Sequence, residues 1–255
     1  MRLRGGHAIK LPEDPGRDFP FYRGNPVALS ALQWWLVLAS IAVAFALLVA
    51  PIPWPGGELG SFVPAILFPA IPLAALAWAS RGHAGCLIGP VGWRELRLMV
   101  LFALLNLVVT MGVGAVVRAT LGASANPAIA TASELSDGAL LVFLARTAVQ
   151  LVGEEVLTVI PMLALLHVLV ARAGLGRGSG LVLAWLGSAI LFGLVHLPTY
   201  HWDLAQCLLI IGTARLVLSA AYIKTRNLWV SAGAHILNDW LLILVNVAGS
   251  RLIQA

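Results

Sequence analysis

Apolar residues dominate this chain in seven long runs, at about 27–50, 61–79, 98–117, 138–170, 181–197, 204–223 and 228–248, separated by short polar or Gly/Pro-rich breaks. A membrane-spanning helix needs about 20 mainly apolar residues, and in lipid the backbone must satisfy its own hydrogen bonds, so each run predicts a spanning helix. Short segments of alternating hydrophobicity, the mark of a membrane barrel, do not occur. The expected fold class is all-α, a polytopic membrane helix bundle of about seven transmembrane helices. Pro64, Pro69 and Pro72 predict a kink in the second run, and the stretch from Pro51 to Gly57 reads as a turn at an interface. Trp34, Trp35, Trp54, Trp78 and Trp93 fall near run ends, where an aromatic belt would sit. The segment Gly174 to Gly180 reads as a flexible connection. There is no internal repeat.

Composition agrees with that pattern. The chain has 255 residues, 60% hydrophobic and 11% charged, with a mean hydropathy of +0.93, outside the range of a soluble globular domain. Its formal charge of +5 raises a nucleic-acid reading, which the distribution of the basic residues removes. Five lie in the N-terminal tail (Arg2, Arg4, Lys10, Arg17, Arg23), three in the 80–97 loop (Arg81, Arg94, Arg97) and two each in 171–180 (Arg172, Arg177) and 224–227 (Lys224, Arg226). The alternate loops carry only Arg118 and Arg251. Twelve against two sets an N-in, C-out topology by the positive-inside rule, with membrane lipids as surroundings and no nucleic-acid partner. Residues 1–26 then form a cytoplasmic tail without the apolar core of a signal peptide, and 27–255 the membrane-embedded bundle. Cys86 and Cys207 have no metal-type spacing, so neither a disulfide framework nor a zinc–thiolate site is expected.

Against this apolar background the ionisable residues stand out. Glu154 and Glu155 lie inside the fourth run, and Arg146 and Arg215 also fall within runs. A charge at the centre of a spanning helix costs about 2.5–3.5 kcal/mol, so such groups need partners or a task. Adjacent helical residues point about 100° apart, which leaves one of the two glutamates for a supporting place. Phe192 and His196, and His235 and Asp239, are each four apart and share a helix face. Pro198 predicts that the helix carrying His196 ends there. A carboxylate and imidazoles supply what peptide hydrolysis needs without a nucleophilic side chain: a base for water, and donors for the oxyanion that develops on the attacked carbonyl. The bland readings are an internal ion pair of the glutamates with Arg146 or Arg215, a helix-end histidine at 196, and a polar pair at His235 and Asp239 that locks two helices. His7 and His83 are expected in solvent, and His167, near a cytoplasmic end, away from the chemistry. His201 is expected to line an entrance with Tyr200 and Asp203.

In order, the chain reads Glu154-Glu155-Val156-Leu157-Thr158-Val159, Phe192-Gly193-Leu194-Val195-His196 and His235-Ile236-Leu237-Asn238-Asp239. These stretches resemble the motifs EExxxR, FxxxH and HxxxN or HxxxD of the CPBP intramembrane proteases, the CAAX prenyl endoproteases and bacteriocin-processing enzymes also called the Abi family. The resemblance covers about 138–248. It implies a glutamate-dependent endopeptidase with no metal and no cofactor, acting on a protein or peptide with a membrane-associated segment. Glu154 would activate water with His196, His235 and Asp239 would hold the oxyanion, and Glu155 would orient the site. Two positions depart from the pattern. Val159 stands in place of arginine, so that cation must come from Arg146 or Arg215 or be absent. Asp239 replaces the commoner asparagine, so it must be protonated, orient His235 or yield its place to Asn238. Two other functions stay open: a zinc-dependent membrane hydrolase using Glu154, His196 and His235, and a scaffold or proton-coupled transporter using the same groups as a relay. The composition, rich in Ala, Gly, Leu and Arg, suggests a bacterial inner membrane.

Overall fold

The computed structural model describes residues 18–254, so most of the expected N-terminal tail, His7 included, lies outside the described residues. Among these, nine α-helices and no strand occur: α1 (Ala31–Val49), α2 (Phe62–Ala79), α3 (Trp93–Thr120), α4 (Pro127–Ser133), α5 (Asp137–Leu166), α6 (Arg177–Val195), α7 (Leu204–Gln206), α8 (Gly212–Thr225) and α9 (Leu228–Gln254). A π-helical turn, His167–Arg172, prolongs α5, and another, Cys207–Ile211, fuses α7 and α8 into one span. Seven helices are long and apolar enough to cross a membrane, from Ala31–Val49 to Leu228–Leu252. The chain is an all-α polytopic membrane bundle.

Local chemistry explains where the helices begin. Ser30 and Gln33 exchange side-chain-to-backbone hydrogen bonds in a capping box ahead of α1. Asn126 caps α4 before Pro127, and Ser136 caps α5. Asp203 accepts from the Gln206 amide at 2.9 Å and starts the α7 turn. Asn227 ties two loops together, accepting from the Gly89 amide at 3.0 Å and donating to the Pro90 carbonyl at 3.0 Å.

The centre of the bundle is α5. In its most apolar stretch 61% of residues are buried, against 22% for the α1 and α3 spans, which face outward. Helices α2, α6, α8 and α9 pack on it, and α3 closes against α8 and α9. Two glycines allow the tightest approaches. A Cβ at Gly153 would collide with the Phe68 ring, and one at Gly193 would sit 2.6 Å from the Cys207 carbonyl oxygen. The second approach seats the end of α6 against the π turn.

Several expectations are corrected. The 174–180 stretch is not a free connection: Gly176 caps α6, Arg177 begins it, and buried Gly180 faces Val170. Trp34 is not at an interface but buried, stacked on His167 with ring centroids 5.8 Å apart. His167 also bonds through Nδ1 to the Tyr22 carbonyl at 2.9 Å. Phe19, Phe21 and Tyr22 are buried in the main core, and Arg177 pairs with Asp18 at 2.8 Å. Burial opposes ionisation of Asp18, yet donors from Tyr22, Arg177 and the Phe19 amide hold its carboxyl below the ordinary value of 3.8. The short helix α4 was not foreseen, because only seven residues carry it.

Candidate active site

Helix α5 carries Arg146, Gln150 and Glu154 at intervals of four, hence on one stripe, while Glu155 points about 100° away. The two glutamates therefore meet different surroundings. Glu155 is fully buried; its Oε1 accepts from Arg215 Nη1 at 2.6 Å and lies 2.9 Å from His235 Nδ1. Glu154 keeps partial exposure: Oε1 accepts from Gln150 Nε2 at 3.2 Å, and Oε2 lies 3.9 Å from His235 Nε2.

Arg215, on α8, joins these groups. Beside Glu155 it donates to Thr158 Oγ1 at 3.1 Å, and its Nη2 is 2.9 Å from His235 Nδ1. Its guanidinium carbon lies 4.2 Å from the centroid of the Phe192 ring. A cation is thus delivered to Glu155 from a neighbouring helix, while Val159, the position one turn along α5, is a fully buried apolar side chain. Of the two cations open from sequence, Arg215 pairs with Glu155, and among the described residues Arg146 pairs with no glutamate.

The imidazoles are held by their inner nitrogens. His235 Nδ1 sits between Arg215 and Glu155, which aims Nε2 at Glu154 and at Asp239 Oδ1, 3.8 Å away. His196 follows the last residue of α6, and its Nδ1 bonds to the Phe192 carbonyl at 2.8 Å. A carbonyl only accepts, so Nδ1 carries the hydrogen and Nε2 of a neutral ring has a free lone pair. Asn238 donates to Asp239 Oδ1 at 2.9 Å, while its own Oδ1 is buried and has no partner among the described residues.

A cavity of about 850 Å³ is lined by Glu154, His196, His235, Asn238 and Asp239, and reaches Arg118, Ser124 and Asn126 beyond the end of α3. Both histidines meet it because α6 stops at Val195 and the chain turns back through Leu197–Tyr200. A second cavity of about 320 Å³ lies across Glu154 and His196, with Arg146 and Gln150 on its wall. Tyr200 lines the larger cavity; burial, and then the Asp239 carboxylate, push its phenol up to about 12, so it remains an O–H donor. His201 and Asp203, expected beside it, do not line that cavity: His201 turns outward at φ 53 and Asp203 is used as a cap. Sequence reasoning missed Asn106, which is buried on α3, lines the cavity and has an Oδ1 with no partner among the described residues. Its signal was a lone amide inside the third apolar run.

Among the described residues no three His, Cys, Asp or Glu side chains are grouped to hold a metal ion. The zinc reading therefore lacks its ligand geometry here. Residues 136–241 match a family model described as Rce1-like, type II CAAX prenyl endopeptidase. Over that stretch the chain is similar to the CAAX protease (CPBP) family, and the class of protein to which the similarity points is a membrane-embedded peptidase. No curated protein and no solved structure matches the chain.

Proposed function

We propose that the chain is an intramembrane endopeptidase that cleaves a membrane-associated protein or peptide with a water activated by Glu154. The single observation that carries this reading is the meeting of Glu154 Oε2 and His235 Nε2 at 3.9 Å on the wall of a cavity that His196 also lines. Glu154 takes one proton from water while His196 Nε2 accepts a hydrogen bond from the O–H that remains, and the water oxygen attacks the peptide carbonyl carbon. His235, its Nδ1 held between Arg215 and Glu155, donates Nε2–H to the oxyanion, with an amide or the Tyr200 hydroxyl as second donor. The proton on Glu154 then passes to the leaving nitrogen as the C–N bond breaks. Glu155 and Arg215 fix the His235 ring, and Arg215 takes the place of the arginine that Val159 lacks. Asp239 accepts from Asn238 and serves as an orienting group.

The host is a bacterial inner membrane, with residues 1–26 as a cytoplasmic tail, 27–255 as the bundle and an N-in topology. The rim near Ser124 then faces the outer side. Lipids and one protein or peptide substrate are the partners, with no nucleic acid. The substrate is sought by comparing the membrane proteomes of a deletion strain and its parent for a protein that shifts in size. With it in hand, Glu154→Gln, His196→Ala and His235→Ala are each expected to slow cleavage at least about a hundredfold at near-parental expression. Parental rates in all three would sink the reading.

A further inference from the structure

Arg146 is the intramembrane charge that the glutamate pairing leaves over. It is half-buried in α5, and among the described residues it makes no hydrogen bond or ion pair; its guanidinium carbon lies 5.2 Å from the Phe143 ring centroid. A cation within a spanning helix calls for a counter-charge. Arg146 lines the 320 Å³ cavity, whose other walls include Phe45, Trp54, Phe68 and Leu157. Among the described residues the only carboxylate on that wall is Glu154, which already accepts from Gln150. A chamber with a cation and mainly aromatic and aliphatic walls fits an apolar ligand ending in an oxyanion.

Distance narrows the ligand further. Arg146 and Glu154 are eight residues apart on a continuous helix, a rise of about 12 Å at 1.5 Å per residue. An extended peptide covers about 3.3–3.6 Å per residue, so three to four residues span from a carbonyl at Glu154 to a group at Arg146. The two cavities share Gln150, Glu154, Phe192, His196 and Thr199, so a strand crossing Glu154 has one end in each. We propose that Arg146 binds the C-terminal carboxylate of the substrate strand, the smaller cavity holding the short fragment that is cut off. This rests on the peptidase reading above and adds to it a residue that selects free chain ends. A lipid phosphate offers the same oxyanion chemistry, and the length match favours the peptide.

The test measures binding, so that it does not depend on turnover. A lipid-anchored CAAX-type peptide is made as the free acid and as the carboxamide, and each is titrated onto full-length Glu154→Gln protein in neutral detergent. The acid is expected to bind about 10- to 100-fold tighter, the range for a charge-assisted hydrogen bond. Adding Arg146→Gln should bring the two peptides within about twofold, and Arg146→Lys should keep part of the preference. Equal binding of acid and amide, no binding of either, or a preference that survives Arg146→Gln overturns the assignment. In a second arm, bilayer discs of phosphatidylglycerol are compared with phosphatidylcholine. Loss of phosphatidylglycerol retention in Arg146→Gln without any acid preference identifies a lipid site and overturns the proposal. An acid preference in a protein that cleaves no peptide would leave Arg146 standing and remove the peptidase reading.

Discussion

Replacing Arg215 by leucine should be among the most damaging single changes in this bundle. The arginine is 1% exposed and contacts Glu155 at 2.6 Å, Thr158 at 3.1 Å and His235 at 2.9 Å, so its loss strands a fully buried carboxylate. Removing one partner of a buried pair destabilises by about 3–5 kcal/mol, chiefly through the uncompensated charge left behind. At about 2–4 °C per kcal/mol for a chain of this size, the melting temperature should fall by about 6–20 °C. Tryptophan-fluorescence melting of the detergent-purified parent and of Arg215→Leu reads that shift. Glu155→Leu should also destabilise, and the double variant should lie well above the sum of the singles, because removing both charges removes the stranded one. A drop below about 2 °C in Arg215→Leu, or strict additivity in the double variant, would refute the view that this pair stabilises the site.

Two further outcomes follow from separate parts of the bundle. Gly193→Ala places a methyl 2.6 Å from the Cys207 carbonyl, a backbone atom that cannot swing aside; it should cost about 1–3 kcal/mol, read by the same melting assay, and move His196 three residues on. Asp18 is held below its ordinary value of 3.8 by Tyr22 and Arg177 against the opposing effect of burial. Its contribution is therefore complete above about pH 4 and fades as acid protonates the folded carboxyl. Protease cleavage near Arg23 should rise at low pH in the parent, and at neutral pH in Asp18→Asn, while global stability changes by less than about 1 kcal/mol.

Much of the membrane architecture was legible because hydrocarbon imposes one rule on long stretches of chain. The seven apolar runs match the spanning helices to within a few residues at most ends, save at α3 and α6, where Trp93 and Arg177 begin the helix about a turn before the apolar run. Expectations failed where a short segment's fate depended on a distant neighbour. Trp34 is an interfacial residue by position, but His167 and the core claim it. The glycine-rich 174–180 stretch is a loop by composition, yet Asp18 meets Arg177 and Val170 packs on Gly180. His201 differs from Tyr200 only in which way a left-handed turn points it.

By itself the sequence determined the class: seven spans, and costly polar groups at Glu154, Glu155, His196 and His235 with spacings that put Phe192 with His196 and His235 with Asp239 on common faces. Those are local properties, set by transfer free energy and helical periodicity. Which cation reaches Glu155, which glutamate stays open to the cavity, and that Asn106 joins the wall while Arg146 is left beside a second chamber, were decided only by the tertiary structure. Such pairings join residues as far apart as 60 to 80 positions. They follow from how helices rotate and cross when packed, which no single segment encodes.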